Sequence, residues 1–293
     1  LDGTLTNLDK VDTLFFQDDD SFSKLDSGTK ISKDHDSLIQ VGALTSSSQL
    51  DKIADSFFHN DETFNKLSNN FLKASSANLV QNQSISATHL NKLANNFFQN
   101  ETTFGKLKSE TQISYDNKDK IKDGTLTDLA KVATDFFRDT NSFEKLNSAT
   151  TISYDDKAKI QAGGLTNVNK VADNFFKDGD SFGKLNSETV IHFDEASKIE
   201  NGALTDLTKV WREGFINGID SPREDGFIRA DSIEKLNKSV KLTHYDTDYI
   251  QNGTLTRDHL PYLDDNFIEI WPAGIARSTG LEKLADGFKI NRG

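Results

Sequence analysis

Six histidines, His35, His59, His89, His192, His244 and His259, are the residues of this 293-residue chain best suited to proton transfer, and their spacing argues against a shared site. No two stand in an HExxH or comparable arrangement, so no helix face offers the paired imidazoles of a zinc site. A nucleophilic triad needs Ser or Cys beside His and an acid, and acid–base catalysis needs two carboxylates in contrasting environments. The carboxylates instead recur with a period, as Asp116 in one stretch and Asp155-Asp156 in another, which suits helix N-termini. No Gly-rich phosphate loop or dinucleotide fingerprint is present. The chain therefore reads as non-enzymatic and without a cofactor. If catalysis existed, the place to look would be Trp211, Arg212, Glu213, His259 and Trp271, which depart from the periodic pattern. Asp220, Glu224, Asp225 and Asp231 form the one acidic group that could offer a cation oxygen ligands, against the alternative of a solvated loop.

These residues are carried by a repeat. Taking Leu126-Thr127 as template, equivalent pairs stand at Leu5-Thr6, Leu44-Thr45, Ile85-Ser86, Leu165-Thr166, Leu204-Thr205 and Leu255-Thr256. Each is followed by an aromatic doublet: Phe15-Phe16, Phe57-Phe58, Phe97-Phe98, Phe136-Phe137, Phe175-Phe176, then Phe215-Ile216 and Phe267-Ile268. An SFxKL step comes next, for example Phe143 with Leu146, and then an apolar residue such as Ile31, Ile113 or Ile152. About seven units of roughly 40 residues result. Units over 1–203 are regular, and 204–293 holds two divergent ones. The sixth is read as inserting the stretch from Asp220 to Gly226 between its doublet and its SFxKL step, and the seventh Trp271 to Gly274 at the same place. Loops recurring at one site of a rigid scaffold would mark a binding face, and Trp and Arg are frequent hot-spot residues. The candidate binding residues are Trp211, Asp220, Arg223, Glu224, Asp225 and Trp271.

Each unit predicts helix, short helix, tight segment, helix and turn. Leu126, Leu129, Val132, Ala133, Phe136 and Phe137 fall at helical spacing, which predicts one amphipathic helix of about three turns capped by Thr127. A second helix is expected from Ser153 to about Gln161. Gly124, Gly163, Gly164, Gly202 and Gly253 then stand where a left-handed residue ends a helix. The fold class is all-α, a stacked tandem array with the Phe doublets as core.

Composition agrees. Only three prolines occur, none before residue 222, and 35% of residues are hydrophobic, with 21 Phe to fill a core. Net charge −12 disfavours nucleic acid and anionic membranes. No apolar run of 18 residues exists to form a transmembrane helix. Without Cys, redox conditions do not fix the compartment. With no Met at position 1 or elsewhere, residues carrying any targeting signal are expected upstream of Leu1.

The pairing of [DN]G-x-LT plus helix with L-[DNS]-x4-IS plus helix resembles two EF-hand-type helix–loop–helix halves joined by short two-stranded bridges between loops. Units such as DGTLTDL…FF…KLNSATTIS are similar to those of type III secretion translocon proteins of the HrpF and NolX kind. That resemblance implies a secreted, extracellular bacterial protein with a protein partner. A calcium-responsive extracellular module and a surface component self-associating end to end are the alternatives. The calcium reading fails on residues. With Leu126 as loop position 8, position 3 is Ile121, matched by Ile39, Val80, Ile160, Ile199 and Ile250. Position 12 is Asp9, Ser48, His89, Ala130, Asn169, Thr208 or His259. In the second half, with Ile152 as position 8, position 1 is Lys145, matched by Lys24, Lys106, Lys184 and Lys235. An apolar residue or a cation at a ligand position cannot coordinate a hard metal ion. Thermal melts in EDTA and in millimolar calcium are accordingly expected to coincide; a large calcium-dependent rise would reverse this reading.

Overall fold

The structure, a computed structural model, describes residues 2–212, 226–265, 267 and 278–288. The backbone over these residues is helical, in pieces of three to six residues, joined by nineteen isolated parallel bridges rather than a sheet. Each repeat resolves into three modules of about 13 residues. A module is a leading bridge residue, a short helix and a closing bridge residue. The LT, FF and IS modules begin, in the third repeat, at Ile85, Phe98 and Ile113.

One rule connects them: the leading residue of each module pairs with the closing residue of the next. Ile85 donates its N–H to the Lys106 carbonyl at 2.9 Å and accepts from the Lys108 N–H at 3.0 Å, giving the Ile85–Leu107 bridge. Phe98 does the same with Lys120 and Lys122, giving Phe98–Ile121. The chain divides into two compact units, Leu1–Phe136 with Thr140–Thr150, and Phe137–Asp139 with Thr151–Gly293, and the rule holds in each.

This corrects the expected three-turn helix. Leu126 is a leading residue, Leu129–Lys131 a single 3-10 turn, and Val132 a closing residue extended at φ −116° and ψ 150°. Asp135, at φ 54°, then turns the chain. Continuing the helix would forfeit the long-range bond from the Ala133 N–H to the Ile113 carbonyl, 3.0 Å. The helix expected to reach Gln161 is likewise the 3-10 segment Tyr154–Lys159, ended by Ile160, which is paired with Phe137. With helices this short and bridges that are parallel, the likeness to EF-hands extends only to the alternation of short helix and turn.

Local sequence explains the short elements. The FF-module helices Asp61–Phe64 and Glu101–Phe104 start from reciprocal caps: Asn60 and Asn100 accept from the Thr63 and Thr103 N–H, and each Thr hydroxyl accepts from the Asn N–H. Asp178 plays this role for Gly179–Phe182, and hydrogen bonds from Tyr154 and the Ser181 N–H hold its carboxyl down to about 2. Gly163, at φ +70°, is the third residue of a β-turn closed by the Gly164 N–H on the Gln161 carbonyl, the position of a type II turn that demands positive φ.

The doublets are core, as expected. Phe57, Phe58, Phe97, Phe98, Phe175 and Phe176 are fully buried. Each pair meets edge to face at 5.1–5.2 Å. The second ring packs on the Phe of the SFxKL step, Phe98 on Phe104 at 5.2 Å. Phe15 is the exception, 40% exposed.

A lysine precedes most closing residues, and its ammonium goes back two modules. In the first unit Lys52, Lys66, Lys92, Lys106 and Lys120 donate to the carbonyls of Leu25, Ile39, Leu67, Val80 and Leu93, at 2.7–3.1 Å across 25 to 27 residues. Those carbonyls belong to closing residues and take no part in the bridge. The Lys120 ammonium also reaches Asn70 at 2.6 Å and Asn95 at 3.3 Å. Burial holds Lys106 and Lys120 below the usual lysine range. Lys120→Met keeps the apolar stem but strips the Leu93 carbonyl of its donor, and is expected to cost roughly 1–3 kcal/mol in denaturant unfolding; an unchanged midpoint would show the ladder to be incidental.

His89 takes the capping place that Gln49 holds in the previous repeat. Gln49 Oε1 accepts from the Thr45 and Ser46 N–H, and His89 Nδ1 accepts from the Ser86 N–H at 3.2 Å. The ring is buried, stacked on Phe64 at 4.0 Å, with Nε2 2.7 Å from an Asp61 carboxylate that is 80% exposed. Burial lowers its pKa, outweighing the hydrogen bond that Nε2 donates to Asp61, while Lys108 adds to the lowering. The unfolded chain therefore takes the proton first, and stability falls as pH drops through the ordinary imidazole value toward the folded one. His89→Gln is expected to flatten that part of the stability–pH curve while leaving stability at pH 8 nearly unchanged.

Candidate functional site

Repeat six is where the residue types of the array change together. The residue after the LT closing position is Ala54, Ala94, Ala133 and Ala172 in repeats two to five, and Trp211 here. The next is Asp55, Asn95, Thr134 and Asp173, and then Arg212. Tyr249 stands where the ladder lysine belongs, and just before this repeat, at the end of repeat five, His192 stands where Ser32, Ser114 and Ser153 precede IS helices.

The structure groups these departures on adjacent modules of the second unit. The rings of His192 and Trp211 stack at 4.5 Å and 22°. The Arg229 guanidinium lies 3.2 Å over the Phe193 ring. Arg212 donates to Asp248 through Nε at 3.1 Å and Nη2 at 2.7 Å and sits 5.9 Å from the Tyr249 ring centre. Hydrogen bonding to Asp248 raises the Arg212 pKa further. Trp211 Nε1 and Arg229 Nε are buried atoms without a hydrogen-bond partner, as are both ring nitrogens of His244, whose ring meets the exposed Tyr245 at 3.8 Å with a 40° tilt.

The insertion in repeat six sits elsewhere than expected. Phe227-Ile228, not Phe215-Ile216, is its doublet: Phe227 is fully buried and Ile228 bridges Ile250 as Phe16 bridges Ile39. The extra chain precedes the doublet. Val210 to Ile228 spans 18 positions against 5 from Val132 to Phe137, an excess of 13. The Phe227 N–H still bonds the Trp211 carbonyl at 3.1 Å, as the Phe15 N–H bonds Asp12 at 3.2 Å, so the turn is closed across the insertion. Gly226 is required there, because a Cβ would lie 2.3 Å from the Tyr249 carbonyl carbon. In repeat seven Phe267 keeps the first doublet position, buried and bonded to the Asp264 carbonyl at 3.0 Å. Its extra residues follow that position, so the two insertions do not recur at one site. The cue was the nearly constant spacing from the second doublet residue to the SFxKL leucine, 9 positions in Phe58–Leu67 and 8 in Ile228–Leu236.

Of the residues singled out from sequence, Trp211 and Arg212 belong to this group. Asp231 is exposed on the segment after Arg229. Asp220, Arg223, Glu224, Asp225 and Trp271 lie outside the described residues, as does Glu213. Among the described residues no three His, Asp or Glu side chains are arranged to hold a metal ion. His259 is a capping residue, its Nδ1 accepting from the Thr256 N–H at 3.1 Å. His192, Phe193, Arg229 and Tyr249 were missed by sequence reasoning, although His192 and Tyr249 stand where Ser and Lys are usual; Phe193 and Arg229 match Tyr154 and Lys177 of the previous repeat and carried no such signal. No helix among the described residues is long and apolar enough to cross a membrane. No family profile, curated protein or solved structure matches the chain.

Proposed function

We propose that the chain is a non-enzymatic scaffold that binds a protein partner through repeat six. The observation carrying this reading is the clustering of Trp211 and Arg212 where the regular array has alanine and a carboxylate, amide or hydroxyl, with Trp211 stacked on His192 and Arg212 59% exposed. Trp and Arg dominate interface energetics. The exposed Arg212 suits a partner that presents carboxylates. The resemblance of the units to type III translocon proteins supports a secreted bacterial scaffold, a translocon or effector component.

Two variants test the reading. Excising 213–225 joins Arg212 to Gly226 and restores the regular spacing, and Trp211→Ala restores the alanine of the other repeats. Both are expected to stay folded, the Trp211 variant at the cost of its ring contact with His192. Both are expected to lose at least tenfold in affinity for a partner identified by crosslinking to the parent. Undiminished binding by both variants would remove repeat six as the contact.

A further inference from the structure

The lysine ladder of the first unit has a missing rung. The carbonyls of Leu25, Ile39, Leu67, Val80 and Leu93 each receive an ammonium from two modules on. The closing residue skipped in this series is Ile53, because the residue before Val80, the one placed to reach it, is Leu79. Leu79 is buried like the lysines, but its side chain ends two atoms short of an Nζ and has no donor. No donor among the described residues sits on the Ile53 carbonyl.

The oxygen atoms of the seat remain. Asp55 stands two residues past Ile53, the position from which Asn82 and Asn95 hold Lys106 and Lys120 at 2.7 and 3.3 Å. Asn78 donates to one Asp55 carboxylate oxygen at 2.7 Å and fixes the side chain. A hollow of about 590 Å³ opens here, lined by Lys30, Asp51, Ile53, Asp55, Asn78 and Leu79 among others. The Lys30 ammonium is engaged by the Asp51 carbonyl. Asp51 and Asp55 face the Lys30 ammonium, and the Lys106 ammonium also acts on Asp55, so too little negative charge is left for calcium, whose sites collect several anionic oxygens, and a monocation is the better fit.

We propose that this vacant seat binds a primary ammonium group supplied from outside the chain. Its N–H donors match the Ile53 carbonyl and the Asp55 carboxylate, and an alkyl stem would lie against Leu79, as the chain's own lysines do in the neighbouring seats. The group is carried by a free alkylamine or by a lysine side chain of another protein.

The test is an amide ¹⁵N–¹H titration of the full chain at neutral pH with butylammonium chloride, and with tetramethylammonium chloride at equal ionic strength as the control. Saturable shifts at Ile53, Ala54 and Asp55 with butylammonium and none with tetramethylammonium are expected. Asp55→Asn should weaken binding about fivefold, the size of one partly exposed ion pair. Leu79→Lys, which supplies the rung from within, should raise the melting temperature and abolish the shifts. A blocked lysine tripeptide binding more tightly than butylammonium assigns the seat to a partner's lysine, and the reverse order to a free amine. The proposal is overturned by the absence of saturable shifts, by equal shifts with tetramethylammonium, or by shifts that persist in a folded Leu79→Lys variant or are unaffected by Asp55→Asn.

Discussion

A parallel bridge one residue long satisfies the N–H and C=O of its leading residue but leaves the carbonyl of its closing residue without a donor. A buried carbonyl in that state costs as much as a lost hydrogen bond, so something must reach it. In the first unit that something is a lysine two modules further along, whose unbranched stem crosses apolar surface and delivers three donors at its tip. The bridge couples each module to the next, and the lysine couples it to the one after. Stability in such an array comes from coupling between neighbours, because a helix of four residues has none of its own.

The same arrangement explains why the modules are short and alike. Each helix needs only enough residues to swing the chain from a leading to a closing position, and reciprocal caps such as Asn100 with Thr103 supply the donors and acceptors that so short a helix cannot. The Phe doublet fills the space between, one ring edge-on to its neighbour and the second laid on the SFxKL ring. In the second unit the lysine more often takes a side-chain oxygen, Lys198 on Asp173 at 2.9 Å and Lys235 on Asn201 at 2.6 Å. The cation keeps its place while its partner changes.

Repeat six shows what the framework tolerates. Its turn is closed by the same backbone bond as in the first repeat, although 13 residues have entered it, and loop closure grows only slowly costlier with length. Around that turn the array exchanges its usual residues. Tyr249 replaces the lysine, Arg212 replaces the carboxylate or amide, and Trp211 replaces alanine. The cation and its partner have changed sides, with Arg212 now donating to Asp248.

The sequence by itself determined the period, the burial of the Phe doublets, and the left-handed glycines at Gly124, Gly163, Gly202 and Gly253, but not Gly164, which closes the turn of Gly163 without a positive φ. These are local or periodic properties, and spacing carries them. It also marked Lys24, Lys106, Lys145, Lys184 and Lys235 as cations where a calcium loop needs oxygen, but not what the ammoniums hold, because Val80 stands 26 residues before Lys106. The spacing of Leu126, Leu129 and Val132 fits a helix as well as two bridge positions around a 3-10 turn. Only tertiary structure chose between them, since the hydrogen bonds that end the helix are made to Ile113. The register of repeat six was decided in the same way: Phe215-Ile216 and Phe227-Ile228 are equally apolar doublets, and the Ile228 bridge to Ile250 made the second one structural. Local spacing proposes positions along the chain, and partners far along it decide which of them are used.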